Sequence, residues 1–107
     1  MNADHVAFVV DDIEKAVSWY KEKLDIKVLY QDSSWAIIEL YDFKVAFVLP
    51  NKHPPHLAFK ISNKNELTKE ILNNGKFSGH RDGSSSLYLK DPFGNAIEFV
   101  IYPDKKK

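Results

Sequence analysis

Two histidines and one glutamate carry the metal-binding chemistry open to this 107-residue chain. His5 begins the stretch His5-Val6-Ala7-Phe8, and His56 begins its near copy, His56-Leu57-Ala58-Phe59, 51 positions on. A repeat of this length, about fifty residues, is a unit of architecture. The same offset, with no gap, carries Lys44-Val45-Ala46-Phe47-Val48-Leu49 onto Asn95-Ala96-Ile97-Glu98-Phe99-Val100, so Glu98 falls where the first copy has Phe47. Two neutral imidazoles and a carboxylate converging in a cleft make a facial triad, which leaves positions for water and a chelating substrate. An ion held this way acts as a Lewis acid or lowers the pKa of a bound water. Taken singly, a strand histidine is more often a hydrogen-bonded core residue, and a strand glutamate usually faces water. Equivalent repeat positions and one shared face are what turn His5, His56 and Glu98 into a metal site.

Other side chains fall around this trio. Tyr88 and Lys90 are expected around the metal as pocket residues, and Tyr88 is also a catalytic candidate. Trp35, Ile37 and Glu39, or else the opposite face of their strand, are expected beside the metal, and Phe47 is expected to form an apolar wall of the substrate pocket. His80 and Arg81 lie in a loop between Ser78 and Ser85. Arg81 is a candidate clamp for carboxylate or phosphate, which its planar fork binds bidentately, or else a solvated loop residue. His80 is a candidate general base or a surface histidine. His53, next to Pro54 and Pro55, reads as structural.

Strands and helices must position these groups. His5 to Val10 reads as a strand, and Asp11 and Asp12 are N-cap candidates, with Asp11 and Glu14 resembling a capping box. Ile13, Ala16, Val17, Tyr20 and Leu24 make one helical stripe, so a helix is expected from about Asp12 to Leu24. Strands follow at Lys27–Tyr30, Trp35–Tyr41 and Lys44–Leu49. Residues 51–55 are a linker, because consecutive prolines exclude a helix or central strand. The second copy repeats the order. A strand from His56 to Ile61 precedes a helix carrying Leu67, Ile71 and Leu72, which Asn63 and Glu66 begin as a capping box and Asn74-Gly75 ends as an αL cap. A short strand near Lys76-Phe77, a strand over Ser86–Lys90, a turn at Asp91-Pro92-Phe93-Gly94-Asn95 and a strand over Ala96–Tyr102 complete it. The fold class is thus α+β: one domain of two βαβββ modules, residues 4–50 and 56–103. Period-two alternation puts Val6, Phe8 and Val10 under the helices and His5, Ala7 and Val9 on the other face. Ile97, Phe99 and Ile101 likewise turn Glu98 to the histidine side.

Composition narrows the function classes. Fifteen basic and fifteen acidic residues cancel, so no net field draws nucleic acid or an anionic membrane. All the basic residues but Arg81 are lysines, and the closing Lys105-Lys106-Lys107 reads as a solvated end. The absence of cysteine excludes disulfides, zinc–thiolate sites and a thiol nucleophile. No stretch is apolar enough to span a bilayer and the N-terminal residues lack a signal-like pattern, so a cytoplasmic location is expected.

The two βαβββ modules, the helix containing Ser18-Trp19-Tyr20, and the motif Asp91-Pro92-Phe93-Gly94-Asn95-Ala96-Ile97-Glu98 resemble the vicinal oxygen chelate superfamily over nearly the whole chain. This is also called the glyoxalase/bleomycin-resistance/dioxygenase superfamily. The resemblance implies modules curved into a half-barrel cleft and one divalent ion per site, Fe, Mn, Ni, Co or Zn. It also implies a homodimer with sites at paired modules, where His56 and Glu98 come from one module and His5 from the facing one. Glyoxalase I enzymes carry a fourth ligand at the position of Phe47, which argues against lactoylglutathione lyase activity. Fosfomycin-resistance transferases use a His, His, Glu set matching His5, His56 and Glu98, and a tyrosine matching Tyr88. They also carry a cationic phosphonate pocket with a potassium-binding loop and a C-terminal arginine, where this chain has Arg81, a serine run and three lysines. Extradiol dioxygenases share the triad, but their further histidine and tyrosine find no match. The expected function is metal-dependent chemistry on a small substrate that chelates through two adjacent oxygens. The alternative is a non-catalytic binding protein of the bleomycin-resistance type, although the acidic groove of that type is missing.

Overall fold

In the computed structural model, which describes residues 1–80 and 83–103, the βαβββ order occurs twice. The first copy comprises β1 (Asn2–Val9), α1 (Ile13–Lys23), β2 (Ile26–Gln31), β3 (Trp35–Leu40) and β4 (Phe43–Val48). The second comprises β5 (His56–Lys60), a 3-10 turn (Lys64–Glu66), α2 (Lys69–Asn74), β6 (Ser78–Gly79), β7 (Ser85–Lys90) and β8 (Ala96–Ile101). The strands run β2-β3-β4-β1 in the first copy and β5-β8-β7-β6 in the second, so the fold is α+β and the sheet does not close. The chain forms two compact units, Asp4–Leu57 and a second made of Met1–Ala3 with the chain from Ala58 onward. Among the described residues no helix is long and apolar enough to cross a membrane.

In the first unit, α1 starts where Asp12 accepts the Lys15 N–H at 3.0 Å, so Asp12 and not Asp11 is the N-cap. Glu14 in the first turn and Lys21 and Lys23 in the last complement the helix dipole. The apolar stripe of α1 lies on β2, β3 and β4, where Ile13 and Val17 pack with Ala36, Ile38, Val45 and Phe47. The helix packs chiefly on these three strands. Phe8, expected beneath it, stays 43% exposed.

Phe47 is the main correction. Its ring is fully buried in this core, with its centroid 5.0 Å from that of Tyr20 on α1. It therefore lines no pocket on the histidine face. The physical reason is the two-residue period of a strand, in which a slip of one position exchanges the faces. Val45 and Phe47 sit under α1, while in the second unit Ile97 and Phe99 pack in the corresponding core. The true match is thus Val45-Ala46-Phe47-Val48 with Ile97-Glu98-Phe99-Val100, and the ungapped alignment fails by one residue. Backbone bonds agree: the Val10 N–H donates to the Val48 carbonyl, and the Ile61 N–H to the Val100 carbonyl. Ala46, not Phe47, is the counterpart of Glu98.

In the second unit, Ile61, Leu67, Leu87 and Phe99 form the core, joined by Phe59, Ile71, Leu72 and Phe77. The single helix expected here is broken in two. Asn63 caps the 3-10 turn, Leu67 is extended, and Thr68 starts α2 afresh by accepting the Ile71 N–H at 3.2 Å. Glu66 still reaches back, taking the Ser62 N–H at 2.6 Å and the terminal ammonium of Met1 at 2.8 Å. The short strand falls at Ser78–Gly79, beyond Lys76-Phe77. The turn after β7 is as expected: Gly94 has φ +89°, and the Asp91 carboxylate accepts the N–H groups of Phe93 and Asn95 at 2.8 and 2.9 Å.

Gly75 is not the αL cap expected, since its φ is −143°. It is required for space: a Cβ there would meet Leu87 side-chain carbons at 2.7–3.0 Å. Gly75→Ala should therefore cost about 1–3 kcal/mol of stability through overpacking. Gly79→Ala, with nothing within 4 Å of its Cβ position, should stay within about 0.5 kcal/mol of wild type. Urea unfolding of the two variants side by side checks this.

Candidate functional site

Two imidazoles meet inside the first unit. His5 on β1 and His56 at the start of β5 bring their Nε2 atoms to 3.3 Å, with ring centroids 5.3 Å apart and planes at 75°. Both histidines belong to one chain, so no second copy is needed to bring them together. The opposite nitrogens are committed. His5 Nδ1 lies 2.7 Å from the Asp4 carboxylate, and His56 Nδ1 lies 2.9 Å from the Pro54 carbonyl. Carbonyl and carboxylate oxygens only accept, so each Nδ1 carries a hydrogen and donates it, and Nε2 is the atom each ring turns toward the other.

Nitrogen ligands at about 2.1 Å from a tetrahedral ion sit about 3.4 Å apart. The pair thus fits a divalent metal in spacing, tautomer and outer hydrogen bonding. Metal-binding histidines nearly always donate their second N–H to such a partner, which fixes ring orientation. Asp4 is 5% exposed, and its other oxygen lies 3.3 Å from Lys44 Nζ. Sequence reasoning passed over Asp4, Pro54 and Lys44. The signal available was an acid directly before His5, and a Pro-Pro pair whose restricted backbone holds one carbonyl in place before His56.

The rest of this face is set by register. His5 pairs with Lys44 and Ala7 with Ala46 across β1 and β4; β3 then places Trp35 against Val48, Ile37 against Ala46 and Glu39 against Lys44. Of the two faces left open for β3, the side bearing Trp35, Ile37 and Glu39 shares the histidine face, since Ala36 and Ile38 are core. Tyr30 joins them unexpectedly. A bulge between Val28 and Tyr30 turns Tyr30 to the face of Ile37, where it stacks on Trp35 at 4.7 Å and 28°. The Tyr30 hydroxyl donates to Asp32, which also accepts from the Ser34 hydroxyl and from the Ser34 and Trp35 N–H groups. These donors, Tyr30 foremost, hold the Asp32 carboxyl well below the usual carboxylate range.

Glu98, Tyr88, Lys90 and His80 belong to the second unit. Pairing of β7 with β8 sets Tyr88 opposite Glu98 and Lys90 opposite Ala96, away from the core residues Leu87 and Phe99. Glu98 is 6% exposed. The Ser86 hydroxyl donates to its Oε2 at 2.5 Å, and His80 Nε2 lies 2.9 Å from the same hydroxyl oxygen. Ser86, missed in the sequence, is therefore a direct partner of the carboxylate. Burial first, then the Glu98 charge and a hydrogen bond to it, push the Tyr88 phenol pKa up. Tyr88 consequently remains a neutral hydrogen-bond donor near neutral pH. Arg81 lies outside the described residues.

A family model described as the Glyoxalase/Bleomycin resistance protein/Dioxygenase superfamily matches residues 2–99. The chain is 27% identical over 112 aligned residues to the metallothiol transferase FosB of Lysinibacillus sphaericus (strain C3-41), covering 90% of this chain and 79% of that protein. Its fold is similar to that of the methylmalonyl-CoA epimerase from Mycobacterium tuberculosis, with a TM-score of 0.76, 16% identity, and coverage of 96% of this chain and 89% of the epimerase. It is also similar to an extradiol ring-cleaving dioxygenase from B. fuscum, with a TM-score of 0.70 and 17% identity. That match takes in 100% of this chain and 34% of the dioxygenase.

The aromatic stack yields a pH test. Because the Asp32 pKa is depressed in the folded chain, the unfolded chain takes up this proton first as the pH falls. The stabilisation is complete above the unfolded aspartate value of about 3.9 and is lost progressively below it. Asp32→Asn should therefore lower the urea midpoint near neutral pH, and its gap from wild type should narrow in acid. A constant gap across that range would show that the Asp32 charge does not hold the turn.

Proposed function

The chain belongs to the Glyoxalase/Bleomycin resistance protein/Dioxygenase superfamily, and from that premise we propose that it is a divalent-metal-dependent enzyme acting on a small substrate that presents two adjacent oxygens. The observation that carries this reading is the His5–His56 pair, with both Nδ1 atoms anchored and both Nε2 atoms converging at 3.3 Å. In this reading His5, His56 and Glu98 would each give one ligand atom to the ion. Glu98 is the natural third ligand because the repeat puts it on the face of β8 opposite the core. When bound, the ion supplies Lewis-acid chemistry at the substrate's oxygens.

The remaining residues have their own tasks in this reading. Asp4 and the Pro54 carbonyl hold the two imidazoles in the tautomer that leaves Nε2 unprotonated. Tyr88, kept as a phenol, helps to orient the Glu98 carboxylate through its hydrogen bond to it. Ala7 and Ala46 keep the floor beside the histidines small, leaving room for substrate. Trp35 with Tyr30 offers a flat apolar surface on the same face, suited to a hydrophobic portion of the substrate. Ala46 at the position matching Glu98 supplies no fourth ligand, which argues against glyoxalase I chemistry as Phe47 was expected to.

Protein purified without chelator should contain about one divalent ion per chain by elemental analysis. His56→Ala and Glu98→Ala should each reduce occupancy to background, because two remaining ligands make no adequate site. Full occupancy in both variants would refute the assignment. A metal-free wild type that binds small ligands without turnover would favour the binding-protein alternative.

A further inference from the structure

Glu98 has an anchoring chain of its own, as the two histidines do. We propose that Ser86 and His80 are positioning residues that fix Oε2 of Glu98 and so set the orientation of this carboxylate as a metal ligand. This rests on the metal reading above. Ser86 is 1% exposed, and a buried hydroxyl has a single hydrogen to give. An ionised carboxylate only accepts, so at 2.5 Å the Ser86 hydrogen points to Glu98 Oε2. The Ser86 oxygen is then an acceptor, and His80 Nε2 at 2.9 Å must be the donor. The chain runs in one direction, from His80 Nε2–H to Ser86 Oγ–H to Glu98.

The backbone holds the far end of this chain. His80 N–H donates to the Ser84 carbonyl at 2.8 Å, and Gly83 N–H donates back to the His80 carbonyl at 3.0 Å. Gly83 has φ +91°, a conformation L side chains rarely adopt, so glycine suits this return of the chain. Ser86 sits in the ladder opposite Val100, and Glu98 opposite Tyr88, one alternate position along β7. The serine is thus fixed by sheet register and the histidine by its own backbone hydrogen bonds. A carboxylate with one oxygen tied down loses the freedom to swing. Partners of this kind around a ligand typically change metal affinity about 10–100-fold when removed.

The test uses the whole chain as wild type, Ser86→Ala, His80→Ala and His80→Gln. Nitrogen-15 NMR of metal-free protein at about pH 8.5, above the ordinary histidine range, should find the His80 hydrogen on Nε2, and this preference should vanish in Ser86→Ala. In cobalt(II) titrations, Ser86→Ala should weaken binding about 10–100-fold and His80→Ala about tenfold. Both should shift the visible ligand-field bands. His80→Gln, which keeps an N–H at the end of its side chain, should recover most of the affinity and the wild-type bands. A wild-type hydrogen on Nδ1 of His80, or unchanged cobalt affinity and bands in both alanine variants, overturns the positioning role while leaving the metal site intact. Failure of the wild type to bind cobalt overturns both readings.

Discussion

Two imidazole rings hold their Nε2 atoms 3.3 Å apart, and the rest of the first unit keeps them there. Asp4 takes the hydrogen of one ring and the Pro54 carbonyl that of the other. Turning either N–H inward would break one of these bonds, and Asp4 is buried, where such a loss is costly. The fold thus fixes the ring orientation, at a spacing that two nitrogen ligands of one ion share.

Each unit divides its sheet in the same way. One face is closed by a helix and filled with Val, Ile, Leu and Phe; the other carries the groups that do chemistry. In the first unit the cost of disturbing the closed face is high, since truncating a buried Phe such as Phe47 typically removes about 3–5 kcal/mol. That burial is what holds Ala46, Lys44 and Ile37 on the opposite face, because alternate positions of one strand cannot move independently. In the second unit Leu87 and Phe99 hold Ser86, Tyr88 and Glu98 in place by the same coupling. Stability and chemistry are thus two sides of one register.

Charge on the open faces is handled by pairing. Asp4 is shared between His5 and Lys44, Glu98 between Ser86 and Tyr88, and Asp32 among four donors that include Tyr30. A buried carboxylate is tolerated when its lone pairs are taken up this way. The Tyr88 hydroxyl illustrates the consequence: burial first, and then the acid beside it, favour the protonated phenol, a donor and not a base.

The sequence by itself determined the two βαβββ copies, the stop at Asp12, the Asp91–Asn95 turn and the pairing of His5 with His56. These are local or periodic signals: a cap, a glycine at positive φ, an alternation, a repeated tetrapeptide. It also placed Tyr88 and Lys90 on the face of Glu98, because alternation within β7 and β8 is unbroken. Only the tertiary structure decided which way Phe47 points. One added residue in the second copy exchanges the faces of the aligned strand, and nothing in Val45-Ala46-Phe47 shows where that residue entered until α1 covers one side. The bulge that turns Tyr30 toward Trp35 and the close approach of Leu87 to Gly75 are hidden for the same reason. The proton partners Asp4, Pro54 and Ser86 were equally silent, since a hydrogen bond depends on atoms meeting in space, and sequence spacing fixes that only within one element.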